Sequence, residues 1–192
     1  VATMLANVIV KNDSLLDCGV LGAKWIPHAL SDHGYENLAY QIAGNTRYPG
    51  WGYWLEKGAT TLWENFNIES KDNSRNHMFF GDIVHWCYKV LAGIRPDEKQ
   101  PGFKHFFIEP YFAGSLDFVK ASHDCMYGLI KSEWQRTGVK IEMNIEIPVN
   151  TNSTIKLPKG EIFIDGVKVN EPDVVKEYSE ENGIVSFLLG SG

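Results

Sequence analysis

The chain has 192 residues, 44% hydrophobic and 22% charged, which suits one large or two small globular domains with ample apolar surface for a core. A formal net charge of −6 argues against nucleic acid or an anionic membrane as a partner. No apolar run approaches the roughly 20 residues of a membrane-spanning helix, and Val1–Val10 shows no basic segment leading an apolar one. Any export signal would therefore lie upstream, where further chain is expected, and the localisation stays open between cytoplasmic and extracellular or periplasmic.

The first half reads as helices separated by loops rich in glycine and aromatic residues. Val1–Val10 resembles a helix entered already under way, with no capping residue before it. A second helix is predicted over Leu21–Leu30, ended by Ser31-Asp32-His33-Gly34, and a third over Tyr35–Ala43, where Tyr35, Leu38, Ala39 and Ile42 keep helical spacing. An aromatic loop follows, and Ala59–Phe66 is expected to return to helix with Thr60 and Thr61 in its first turn. The clearest pattern is His77–Ala92. Phe80, Val84, Cys87 and Leu91 form one apolar stripe, and Ile83, Trp86 and Val90 form a second beside it. Gly93 is its natural stop and Pro96 prevents continuation.

From Gly102 onward the period changes to two. Phe106–Glu109, Leu116–Val119, Leu129–Trp134 and Val139–Ile147 are predicted strands, with shorter ones at Thr154–Leu157, Ile162–Ile164 and Val185–Leu189. Lys159-Gly160 and Asp165-Gly166 are turn dipeptides, and the charged run Lys176–Gly183 suits a solvated hairpin. Strands at this spacing imply an antiparallel β-sandwich. The proline-flanked, charged segment Pro96–Gly102 suggests a boundary, giving a helical domain over 1–97 and a β domain over 98–192.

Chemistry concentrates in Tyr48–Phe66. Trp51, Trp54 and Trp63, with Tyr48 and Tyr53, lie there beside the carboxylates Glu56 and Glu64. Pyranose C–H faces stack on aromatic rings while carboxyl groups handle hydroxyls and protons, so this mixture suits a sugar site. Aromatic residues are more often core, and at least one of these tryptophans is expected to be. Other constellations carry less. His28 and His33 bracket a helix end without a third ligand nearby in sequence, so no metal is expected. His105 and His123 fall among strands as structural or surface residues. Cys18, Cys87 and Cys125 are odd in number and far apart, implying neither disulfide nor metal. Gly50-Trp51-Gly52 lacks the lysine and preceding strand of a phosphate loop, and there is no nucleophile elbow. No cofactor is expected.

Several segments, in order, resemble one family. They are Gly19–Gly22, Ala29–Tyr35 with Ala39-Tyr40, Glu56-Lys57-Gly58-Ala59-Thr60-Thr61-Leu62-Trp63-Glu64, Asn76–Gly81, Leu91–Ile94 and Pro101–His105. Together they are similar to the C-terminal part of family 78 glycoside hydrolases, the inverting α-L-rhamnosidases. The resemblance implies the C-terminal portion of an (α/α)6 barrel followed by a β-sandwich, with rhamnosides as substrates of the intact enzyme. It places the general base at Glu64, near the N-terminus of an inner helix whose dipole would favour the ionised carboxylate. Glu56 competes for that role or binds sugar hydroxyls. His77 matches a residue that contacts the sugar, and Trp51, Trp54 and Trp63 are candidate walls of the sugar pocket. The acidic motif that supplies the general acid lies upstream, so the fragment is expected to be inactive alone. An incomplete barrel exposes the flanks of Phe79, Phe80 and Trp86, which predicts homo-oligomerisation, exchange of elements or partial disorder of the helical part. The alternatives are a carbohydrate-binding or structural module, disfavoured because Trp134 is the β region's only tryptophan, and an (α/α)6 glycosidase for another sugar.

Overall fold

A computed structural model of the chain describes residues 1–70, 73–169 and 175–192. It divides into two compact units, Val1–Cys87 and Tyr88–Gly192. Among the described residues no helix is long and apolar enough to cross a membrane.

The first unit holds α1 (Ala2–Lys11), α2 (Val20–Ser31), α3 (Glu36–Gly44), α4 (Trp51–Glu56) and α5 (Asp82–Trp86). No side chain caps α1, and Ala6 and Ile9 are its buried positions. The sharp return from α2 to α3 follows from Gly34 at φ +80, with Tyr35 N–H donating to Leu30 O at 2.9 Å. A polar chain ties α2 to α5 inside the core. The Ser31 hydroxyl donates to Pro27 O at 2.9 Å and accepts from Trp86 Nε1 at 2.9 Å. Stranding one of those buried groups costs about 1–3 kcal/mol, so the fully buried Trp86 is fixed in orientation as well as depth.

Two helical expectations are corrected. The aromatic loop contains α4, and Ala59–Phe66 is not helical. α4 turns Trp51 and Trp54, three residues apart, into the core, and ends at Gly58, whose φ is +78. Ala59 N–H donates to Trp54 O at 2.9 Å, closing the same kind of stop that ends α2. Beyond it the chain runs alongside 74–77: Glu64 N–H donates to Ser74 O at 3.0 Å and His77 N–H to Leu62 O at 2.8 Å. The long helix predicted from His77 begins only at Asp82 and finishes as a π-helical turn, Cys87–Leu91. Both of its stripes contribute to the core, Phe80 and Leu91 from the first and Trp86 and Val90 from the second, while Val84 of the first is exposed.

The second unit contains β1 (Ile94–Pro96), β2 (His105–Ile108), β3 (Phe118–Cys125), β4 (Gly128–Thr137), β5 (Lys140–Glu146), β6 (Asn152–Pro158), β7 (Phe163–Ile164), β8 (Val167–Lys168), β9 (Lys176–Glu181) and β10 (Ile184–Leu189). Strands β1-β2-β6-β10-β9 form one sheet, β3-β4-β5 a second, and β7-β8 a small hairpin. All pairs are antiparallel except β2 with β6, where His105 faces Asn152 and Ile108 faces Ile155. Inward residues of both larger sheets share one core, in which Phe106, Ile108, Ile155 and Phe187 meet Ile130. Segment 97–104 is the turn of the β1–β2 hairpin. His105, buried as expected, joins Asp97 Oδ2 at 2.8 Å and Thr154 Oγ1 at 2.9 Å.

Candidate active site in the helical unit

The aromatic residues singled out in the sequence sort by depth. Trp51 and Trp54 are 7% and 2% exposed, and Trp63 is half-buried. Trp54 packs on Phe66 at 4.8 Å and edge-on to Phe80 at 5.4 Å, and Phe66 meets Phe80 at 4.6 Å. Trp51 closes the cluster and donates its Nε1–H to Phe80 O at 3.0 Å. Such aromatic pairs contribute about 0.5–1.5 kcal/mol each beyond area burial, so the cluster is a stiff floor. Trp63 lies above it, 6.0 Å from Trp54, with the Arg75 guanidinium 4.1 Å from its ring centre.

Glu64 follows Trp63 in the segment that runs alongside 74–77. Its Oε2 accepts the Ser74 N–H at 2.8 Å while its own N–H binds Ser74 O. Main chain and side chain are thus gripped by a single residue, which sets the carboxylate's direction. The group is half-exposed, and among the described residues no basic side chain pairs with it. Thr60 and Thr61 do not cap a helix there; the Thr61 hydroxyl binds Arg75 O instead. The helix expected to orient Glu64 is therefore replaced by a backbone hydrogen bond from Ser74. Glu56 is exposed at the end of α4.

His77, half-buried, is anchored by its own N–H to Leu62 O. Its Nδ1 accepts the Phe79 N–H at 3.4 Å and its ring stands perpendicular to Phe79 at 4.3 Å. A neutral ring accepting at Nδ1 carries its proton on Nε2, a donor of the kind a sugar hydroxyl needs. Segment 59–66 and residues 74–77 therefore bring Trp63, Glu64 and His77 onto one framework. Ser74 and Arg75 belong to it as well and were not singled out from sequence. Their contacts with Thr61, Trp63 and Glu64 span ten or more residues, so no local pattern marks them.

One further cluster was missed. His28, thought to lack a third ligand, meets Asp82 and His85 of α5, with one ligand atom from each within 4.8 Å of the others. The signal in sequence was only the three-residue spacing of Asp82 and His85.

Residues 1–91 match the family model of the bacterial α-L-rhamnosidase six-hairpin glycosidase domain, and residues 93–168 match that of the bacterial α-L-rhamnosidase C-terminal domain. The chain belongs to the bacterial α-L-rhamnosidase family. Among curated members of the family, the α-L-rhamnosidase of Streptomyces avermitilis is 28% identical across 100% of this chain and 19% of its own length. One from Formosa agariphila is 32% identical over 80% of this chain and 17% of its own. A solved α-L-rhamnosidase from Dictyoglumus thermophilum superposes with TM-score 0.87 at 33% identity, covering 99% of this chain and 22% of that one. The Streptomyces avermitilis structure complexed with L-rhamnose gives 0.83 at 27% identity, covering 100% and 19%. The chain thus spans about a fifth of the length of these family members. Its helical unit and its sheets correspond in order to the family's six-hairpin and C-terminal domains.

Proposed function

We propose that this chain is the C-terminal part of an inverting α-L-rhamnosidase that removes terminal α-L-rhamnose from glycans or glycosides, with Glu64 as its general base. The observation that carries the assignment is the setting of Glu64: half-open, unpaired with any described cation, and aimed by the Ser74 N–H in the segment next to Trp63. In an inverting reaction this carboxylate takes a proton from the water attacking the anomeric carbon. A carboxylic acid about 6.5–9.5 Å away protonates the departing oxygen. The acid comes from residues outside this stretch, so the 192 residues alone leave rhamnosides intact.

The remaining residues divide the binding work. Trp63 offers its ring to the apolar face of the sugar, and His77 donates Nε2–H to a hydroxyl. Glu56, exposed beyond α4, accepts from another. Trp51 and Trp54 hold the wall from behind, since both are spent on the aromatic floor. A relative solved with L-rhamnose supports the choice of sugar.

The test is aryl α-L-rhamnoside hydrolysis by the full-length parent protein beside its Glu64→Gln and Glu56→Gln variants. Removing the base should lower kcat by about 10²–10⁴-fold, with Glu56→Gln acting mainly on KM. Proton NMR of the first product should show the inverted anomer. An inactive parent, an untouched Glu64→Gln variant or a retained anomer would each sink the assignment. Turnover by the 192 residues alone would sink the claim that the acid lies elsewhere.

A further inference from the structure

We propose that His28, Asp82 and His85 form a binding site for a divalent transition-metal ion of the zinc class, clamping α2 to α5. Two imidazoles from different helices converge on the two oxygens of one carboxylate. His28 Nε2 lies 2.8 Å from Asp82 Oδ2, and His85 Nδ1 lies 3.8 Å from Asp82 Oδ1. The two imidazole rings are 5.0 Å apart between centroids and tilted by 41°. With metal–nitrogen and metal–oxygen bonds of about 2.0–2.1 Å in a tetrahedral site, neighbouring ligand atoms stand about 3.3 Å apart. The 2.8 and 3.8 Å contacts reach opposite oxygens of Asp82, and one ligand atom from each residue lies within 4.8 Å of the others, so side-chain rotations that draw them together by up to about 1.5 Å would seat an ion.

Depth and chemistry fit the same purpose. His28 is 8% exposed, the Asp82 side chain 21% and the His85 side chain 64%. This gradient leaves a solvent side through which a hydrated ion enters and where it keeps a water as fourth ligand. A His28–Asp82 hydrogen bond by itself would account for a satisfied buried pair; it gives no reason for a second imidazole at the same carboxylate. Two nitrogen donors and one carboxylate select zinc, cobalt, nickel or copper over calcium and magnesium, which take oxygen. Asp82 and His85 are three residues apart on α5, and His28 is 54 residues before Asp82. A bound ion therefore closes a long loop between helices that otherwise meet through Ser31 and Trp86.

Cobalt(II), then zinc, titrated into the chain under reducing conditions tests the site directly. One equivalent of cobalt should give visible d–d bands without thiolate charge-transfer absorption, and zinc should displace it. Zinc at about 100 times its Kd should raise the melting temperature by about 5 °C or more, while calcium leaves it unchanged. His85→Ala, at an exposed position, should keep the metal-free melting temperature and lose at least tenfold in affinity; Asp82→Asn should lose binding too. His33→Ala should bind as the parent does. The proposal is overturned if neither metal binds, if His85→Ala binds with parental affinity, or if thiolate absorption places the ion on Cys18 or Cys87.

Discussion

Gly93→Ala should be a severe small substitution in the second unit, and Gly183→Ala calibrates it. Both glycines have left-handed backbones, at φ +76 and +79. An alanine pays about 1–2 kcal/mol there, partly offset by about 0.4–1 kcal/mol from a stiffer unfolded chain. At Gly183, in the Asn182-Gly183 turn between β9 and β10, a methyl group would meet nothing within 4 Å, so the loss should be about 1 kcal/mol. At Gly93 the same methyl would lie 2.2 Å from Pro110 N and 2.3 Å from Glu109 C. Those are backbone atoms with no rotamer to retreat into, so the strands must part by about 1 Å. That costs a further 1–3 kcal/mol, roughly as for overpacking. It also strains the Glu109 N–H to Gly93 O bond of 2.9 Å. The expected total is about 3–5 kcal/mol. Urea unfolding followed by near-ultraviolet circular dichroism reads both variants on one scale. Equal losses for the two would refute the packing argument and leave only backbone strain.

Trp134 and Ser132 of β4 supply the donors for two buried carbonyls just before β1: Trp134 Nε1 to Leu91 O at 2.9 Å and the Ser132 hydroxyl to Ala92 O at 2.6 Å. Trp134→Phe and Ser132→Ala should each cost about 1–3 kcal/mol in urea unfolding by orphaning an acceptor; values near zero would mean those carbonyls find other partners. The Asp97 carboxyl is held below its ordinary pKa first by the Lys99 N–H and next by His105. Its folded pKa lies below the unfolded one, so its contribution is present above the unfolded pKa and fades as pH falls through the folded value. Below about pH 4 the second unit should therefore lose stability more steeply than an Asp97→Asn variant does. Parallel acid limbs for the two proteins would contradict this.

Much of the β unit was legible because its signal is local. β4 alternates half-buried with buried residues, which is what a period of two encodes, whereas β3, expected over 116–119, runs Phe118–Cys125 and alternates only between exposed and half-buried residues. Asp165-Gly166 turns between β7 and β8 where its dipeptide predicts, and the charged run 176–183 enters a hairpin as expected, whereas Lys159-Gly160 is a bend between strands that do not pair with each other. The parallel pairing of β2 with β6 was not legible, because His105 and Asn152 are brought together only by everything folded between them. The short strand β8 was not predicted for a related reason: exposed side chains carry no apolar alternation, and β9 was legible only as the solvated arm of a hairpin.

The candidate site failed to show its shape for a different reason, and the failure explains its chemistry. Leu62, Trp63 and Phe66 have helical spacing, so Ala59–Phe66 reads as an amphipathic turn. Gly58 has already ended α4 with a left-handed stop, and Phe66 is needed inside the aromatic floor beside Trp54 and Phe80. An irregular, bent path satisfies both demands, and 74–77 supplies backbone partners that a helix would have supplied to itself. Had the segment been helical, Glu64 would have pointed along a helix flank, with its neighbours' N–H groups committed to the turn before. On its actual path it borrows the Ser74 N–H for its carboxylate, and Trp63 beside it in sequence carries the Arg75 guanidinium over its ring. The burial of one aromatic residue, Phe66, thereby aims the acid two positions earlier. Fold and site are coupled at that step, and no periodicity in the sequence records it.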